Sequence, residues 1–182
     1  MRLALAGWSE AALGDAATAC VAPAGGDSSW RTVAAAGLHV TLCFLGGQPL
    51  SEIEAITAAC ATITGCPRMP LQLGDILWLP RRRPRVLAVG LTDPDGVLGA
   101  LQAALADRLQ HGGWYERERR RFMPHITVAR ARGHASRRLG QALSAPSALS
   151  FEGASVALLR SWPQPGGSRY ERLAVISLSE KP

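Results

Sequence analysis

Apolar positions in this chain fall into short runs separated by glycine, proline and small polar residues, and their period changes along the sequence. Leu3-Ala4-Leu5-Ala6 is a continuous apolar run of strand length. Ser9 heads a stretch to about Cys20 with Glu10 in its first turn, where a helix dipole favours a carboxylate; this predicts a helix. Residues 22–29 are rich in Pro, Gly and small polar side chains and predict a loop. Residues 38–45 predict a strand closed by Gly46-Gly47. From Ser51 onward, Glu52 and Glu54 occupy a first turn while Ile53, Ile56 and Ile63 form one apolar stripe, which predicts a second helix ended by Gly65, Pro67 and Pro70.

Two strands are predicted over residues 71–79 and 86–91, joined by Pro80-Arg81-Arg82-Arg83-Pro84-Arg85. Asp93-Pro94-Asp95-Gly96 is a turn leading into a helix over 97–110, whose Leu98, Leu101, Leu105 and Leu109 recur at helical spacing. Further strands are predicted at 126–129, 155–159 and 173–178, with a short helix over 135–143 and turns at Gly153 and 163–167. Several strand pairs are joined by six to fifteen residues without helical period, which favours antiparallel pairing. The predicted class is therefore α+β rather than a doubly wound parallel sheet. No linker divides residues 1–182, and the elements recur in two similar sets, so a single domain of two related halves is expected.

Composition changes this picture little. Hydrophobic residues make up 47% of the 182, enough to bury a core. The formal charge is +6, and Lys181 is the only lysine among the 20 basic residues. Guanidinium forks suit bidentate phosphate binding, so a polyanionic partner fits the charge, although codon bias toward Arg, Ala and Gly accounts for part of the excess. Cys20, Cys43, Cys60 and Cys66 lack CxxC spacing and neighbouring histidines, so neither a zinc site nor a disulfide framework is indicated; Cys43 reads as a small buried hydrophobe. The N-terminal apolar run is too short for a signal peptide, and no run reaches the roughly 18 apolar residues of a membrane span. A cytoplasmic monomer is the expectation.

The informative feature is a repeated motif. His39-Val40-Thr41-Leu42 recurs 86 positions later as His125-Ile126-Thr127-Val128. Each opens an apolar, β-branched run and so belongs on a strand, where residues i and i+2 share a face. His39 and Thr41 then point into one space, as do His125 and Thr127, while Val40, Leu42, Ile126 and Val128 face a core. Pro124 is tolerated at the entry to a strand. Random placement would set threonine two positions after two of four histidines in roughly one chain per hundred. A lone copy would be an ordinary half-buried strand; two copies point to a shared site. With an ordinary pKa near 6.5, one imidazole can be neutral and the other protonated. Such a pair can activate water on one side of a cyclic phosphate and protonate the leaving oxygen on the other. The threonine hydroxyls can hydrogen-bond non-bridging oxygens. No acidic cluster or His/Cys ligand set accompanies the motifs, so neither metal nor cofactor is expected.

These paired motifs resemble those of the 2H phosphoesterases (HXTX motif), specifically the RNA 2′,3′-cyclic phosphodiesterases often labelled 2′-5′ RNA ligases. The likeness runs from Arg2-Leu3 through Trp30 and residues 38–46, a basic hairpin at 80–91, and residues 122–130, to a C-terminal hairpin at Arg160-Ser161 and Gly167-Ser168-Arg169-Tyr170. It implies a bilobal α+β fold with a pseudo-twofold axis, two antiparallel-rich sheets with flanking helices, and a central cleft with one motif on each wall. It further implies hydrolysis of an RNA terminal 2′,3′-cyclic phosphate to a 2′-phosphate. His39 would be the proton donor to the 3′ oxygen, His125 the acceptor that activates water, and Thr41 and Thr127 the phosphate holders. Ligation to a 2′-5′ linkage would be the reverse reaction, at high concentrations of RNA ends. The residues by themselves leave open which histidine plays which part. The first strand lacks the cleft aromatic usual in that family, and Trp8 and Trp30 are candidates to replace it.

Other basic residues divide between RNA contact and solvated charge. Arg81, Arg82, Arg83 and Arg85 could follow an RNA backbone. Arg117, Arg119, Arg120 and Arg121 alternate with Glu116 and Glu118, which reduces their field. Arg130, three residues after Thr127, points away from the cleft on a regular strand, and only a bulge would redirect it. His111 reads as a helix C-terminal cation and His134 as a loop residue; neither pairs with a threonine. Two other functions compete: a phosphodiesterase for a small cyclic nucleotide or an ADP-ribose cyclic phosphate, and an RNA-end-binding module without turnover. The intact histidine and threonine set argues against the latter.

Overall fold

The computed structural model describes residues 1–6, 29–132, 150–165 and 167–180. The helices expected over 9–20 and 135–143, the loop at 22–28, and Trp8, Cys20 and His134 lie outside these residues. The described strands are β1 (Arg2–Ala6), β2 (Trp30–Thr32), β3 (Val40–Phe44), β4 (Met69–Leu79), β5 (Val86–Thr92), β6 (His125–Ala131), β7 (Ser150–Gly153), β8 (Ser155–Gln164) and β9 (Gly167–Ser177). The described α-helices are α1 (Ile53–Ala61) and α2 (Val97–His111).

All these strands belong to one nine-stranded sheet in the order β7-β4-β5-β6-β3-β1-β8-β9, with β2 added beside β6. Every named pairing is antiparallel, as the short non-helical connections predict. The order divides into two sets of four, with β6 and β3 in the middle, and the two expected sheets are the halves of this one. Their junction is a single assigned residue pair, Val40↔Ile126. Beyond it the halves diverge, and β2 occupies the C-terminal stretch of the β6 edge.

The alternating pattern sets what each face buries. Val40, Leu42, Leu87, Val89, Ile126, Val128, Val156 and Leu158 join one large core with the helices. On α2, Leu98, Leu101, Leu105 and Leu109 are all at most 2% exposed, so the predicted stripe is the buried stripe. The helices pack on each other, α1 also against β9 and α2 against β3. A much smaller cluster, Ala4, Ala157 and Leu159 with Tyr170, lies on the opposite face.

Three local features refine the expected elements. The helix expected from Ser51 opens with a 3-10 turn at Leu50–Glu52 after Pro49, with no side-chain cap, and becomes α-helical at Ile53; Glu52 accepts a hydrogen bond from Trp114 Nε1 at 2.8 Å. Pro163 lies in β8 rather than in a turn; β1 pairs with β8 only as far as Leu159, so no strand needs a Pro163 N–H on that side. Strands β2 and β7, of 3 and 4 residues, had no hydrophobic run to reveal them.

Candidate active site

Residues paired across an antiparallel ladder share a face, so register locates the motif side chains. Thr41 lies opposite Ala4, Thr127 opposite Ala88, and His125 opposite Gly90. Their cross-strand partners are thus small, and the space over this face is left to the motif residues. The alternate positions Val40, Leu42, Ile126 and Val128 are at most 3% exposed, as their spacing requires. His39 just precedes β3, after a 3-10 turn at Ala35–Gly37. All four motif side chains are half-buried. Because β3 and β6 are paired at Val40↔Ile126, each histidine lies beside the other motif's threonine.

The two imidazoles are held alike. His39 Nδ1 is 2.8 Å from the Gly37 carbonyl oxygen and His125 Nδ1 is 2.8 Å from that of Met123, each two residues earlier in the chain. A carbonyl only accepts, so in both rings Nδ1 carries the proton and donates, leaving Nε2 as the nitrogen for proton exchange. The Tyr170 ring meets His39 edge-on, with centroids 4.6 Å apart at 69°. Burial pushes the His39 pKa down to about 4; the Gly37 hydrogen bond opposes this, and the charges of Arg2, Arg130 and His125 add to it. His125 is therefore within electrostatic reach of His39, and neither ring is sealed in the core.

A β-bulge follows each threonine. Ala88 pairs with Thr127 but Leu87 pairs with Ala129, leaving Val128 as the extra residue; in the other motif, Ala4 pairs with Thr41 and Leu3 with Cys43, leaving Leu42. Each bulge shifts the alternation by one. Arg130, now opposite Val86, shares the face of Thr127 instead of pointing away. At the equivalent place in the first motif is Phe44, opposite Arg2. The Arg2 guanidinium is 5.2 Å from the Phe44 ring centre and 5.2 Å from that of Tyr170. Arg2 and Tyr170 are thus parts of this site that motif reading missed. Arg2 has the alternation of Ala4 as a signal, whereas nothing local to Tyr170 marks its approach to His39.

Two cavities among the described residues adjoin the motifs. The larger, about 890 Å³, contains Thr41, Phe44 and His125 and is walled by Arg85, Arg117, Arg119, Arg120, Arg121 and Phe122 among others. Arg117 is bound to Asp107. Of the hairpin arginines only Arg85 lines this cavity, and Arg81, Arg82 and Arg83 do not. The smaller, about 370 Å³, lies between Gly37, Arg31, Arg130 and the β8–β9 hairpin at Gly167 and Tyr170. Trp30 is not a cleft aromatic: it is 5% exposed and packs edge-on against Trp78. Phe44 borders the larger cavity and Tyr170 the smaller. Cys43 and Cys60 are buried and their thiols pushed up to about 12, so both remain protonated. No group of three or more His, Cys, Asp or Glu side chains with metal-binding geometry occurs among the described residues, and no described helix is long and apolar enough to cross a membrane.

A model of the 2′-5′ RNA ligase superfamily matches residues 16–162. The RNA 2′,3′-cyclic phosphodiesterase of Escherichia coli strain K12 is 35% identical over 101 residues, covering 55% of this chain and 54% of that protein. The aligned part thus spans about half the length of that curated relative. The crystal structure of TT0787 from Thermus thermophilus matches with a TM-score of 0.83 at 24% identity over 100% of both chains, a likeness of fold. Escherichia coli LigT complexed with 3′-AMP matches with a TM-score of 0.80 at 25% identity, over 98% of this chain and 97% of that one.

Proposed function

Because the chain belongs to the 2′-5′ RNA ligase superfamily, we propose that it hydrolyses a 2′,3′-cyclic phosphate at an RNA end to a 2′-phosphate, with both proton transfers made by imidazoles. The observation that carries this reading is the matched presentation of the two rings. Each is tied through Nδ1 to the carbonyl two residues before it, on strands paired at Val40↔Ile126. The RNA 2′,3′-cyclic phosphodiesterase among its relatives supports the substrate class.

In the proposed reaction His125 Nε2 takes a proton from water as the water oxygen bonds to phosphorus. The bond from phosphorus to the 3′ oxygen breaks on the far side, and His39 Nε2 gives its proton to that oxygen. The product has a 2′-phosphate and a free 3′-hydroxyl; solvent then returns the proton to His39 and removes it from His125. Thr41 and Thr127 hydrogen-bond the non-bridging oxygens, and Arg130, turned inward by its bulge, and Arg2 offset the charge gathering there. A 5′-hydroxyl of RNA in the place of water would give a 2′-5′ linkage by the same steps.

The test is incubation with a short RNA ending in a 2′,3′-cyclic phosphate, in EDTA. A 2′-phosphate product is expected, with turnover undiminished by the chelator. A 3′-phosphate product would reverse the roles of the oxygens, and a requirement for added divalent metal would overturn the two-imidazole mechanism. His39→Ala and His125→Ala should each lower kcat by about two to four orders of magnitude.

A further inference from the structure

The smaller cavity has a feature that the reaction at the histidines does not require. Arg31 on β2 is directly opposite Arg130 on β6. Like charges in directly opposed strand positions repel. Among the described residues, none of the carboxylate ion pairs involves either arginine. Arg31 instead donates from Nη1 to the Pro165 carbonyl at 3.4 Å. The Arg31 guanidinium lies beside Gly167, whose φ of 139° is a backbone conformation that favours glycine. The Arg31 head group is thus held at the hairpin, and both arginines line the smaller cavity. Arg169, Gly37 and Tyr170 complete the walls, and no acidic side chain is among the described residues lining this space.

We infer that this cavity binds a second, non-reacting phosphate of the substrate: the phosphate 5′ to the nucleotide that bears the cyclic phosphate. An anion between Arg31 and Arg130 turns a repulsive pair into two charge-assisted contacts. The position fits the proposed reaction, on which this inference rests. Gly37 and Tyr170, which border the cavity, also hold His39, the donor to the 3′ oxygen. The ribose carrying that oxygen lies on the His39 side, and its 5′ substituent continues toward Arg31. The cavity therefore distinguishes the end of a polynucleotide from a bare nucleoside cyclic phosphate.

Three probes test this: adenosine 2′,3′-cyclic phosphate, the same compound with a 5′-phosphate, and an adenosine dinucleotide ending in the cyclic phosphate. In the unsubstituted protein the 5′-phosphate should raise kcat/KM about tenfold, mainly through KM, with the dinucleotide at least matching it. Arg31→Gln should remove most of that gain, Arg31→Lys should keep part of it, and Arg108→Gln, an equal charge change on exposed α2 surface, should leave it intact. An absent gain in the unsubstituted protein, or a full gain in Arg31→Gln, overturns the inference. If none of the probes is hydrolysed, the proposed function fails. The cavity is then still read by calorimetric binding of the 5′-phosphorylated probe, where equal affinity in Arg31→Gln would overturn it.

Discussion

His39 rests in surroundings that keep it neutral: burial, then the cations Arg2 and Arg130, hold its pKa at about 4 against an ordinary 6.5. The unfolded chain consequently binds more protons between those two values, and stability falls as pH drops from about 6.5 toward about 4, then levels off. The change reaches at most about 3 kcal/mol. His39→Gln should flatten that part of a denaturation series relative to the parent protein; an equal slope would show that the imidazole is not held neutral. The same field bears on the proposed reaction. A proton donor must be charged in the complex, and a bound phosphate beside Arg2 and Arg130 offsets the repulsion that empties His39 of its proton. The limb due to His39 in kcat/KM, which reports the free enzyme, should therefore lie below that in kcat, and Arg2→Gln should move the free-enzyme limb upward. Movement of the alkaline limb identifies His39 as the acid, because activity is then lost as its proton leaves. Movement of the acid limb would make it the base.

At the scale of elements, the segment after α2 shows how a short connection fixes a helix. Gly112 follows α2, and a Cβ there would lie 2.1 Å from Cζ3 of Trp114, whose Nε1 donates to Glu52 at the entry to α1. Gly112→Ala must displace that ring and its hydrogen bond, so a loss of about 1–3 kcal/mol is expected, read as a lower thermal midpoint. An unchanged midpoint would mean that the indole does not brace the two helices. Regular elements of this kind were legible in the chain: the leucine stripe of α2, the apolar runs of β4 and β5, and both histidine strands are written in local sequence. The irregular ones were not. Strands β2 and β7 exist through their partners β6 and β4 rather than through hydrophobic runs of their own. A bulge is a mismatch between two strands, so no reading of 125–131 alone could decide whether Arg130 faces the cleft. The histidines and threonines were visible as a repeat, whereas Tyr170 reaches His39 only because β8 and β9 form a hairpin next to β1.

The whole molecule sets an asymmetric field on a nearly symmetric frame. Each half supplies a histidine, a threonine and a bulge after it, yet equivalent positions hold Phe44 in one half and Arg130 in the other, so both Arg2 and Arg130 bear on His39. In the proposed reaction, that inequality would let two like imidazoles take opposite proton roles. The remaining positive charge is also unevenly placed. Arg119, Arg120 and Arg121 line the large cavity beside His125, on the side where the proposed reaction would bring in water or an RNA 5′-hydroxyl, while Arg81, Arg82 and Arg83 at the hairpin tip do not. Arg117 in the same wall is already joined to Asp107. Each phosphate contact to a single strand contributes about 0.7 to the slope of log affinity against log salt. Arg119→Gln with Arg120→Gln should therefore make that slope shallower by up to about 1.4 for an RNA several nucleotides long. The same double change at Arg81 and Arg82 should leave the slope near that of the parent protein. If instead the hairpin changes flatten it and the cavity changes do not, RNA runs along the hairpin tip, and the large cavity beside His125 admits only water.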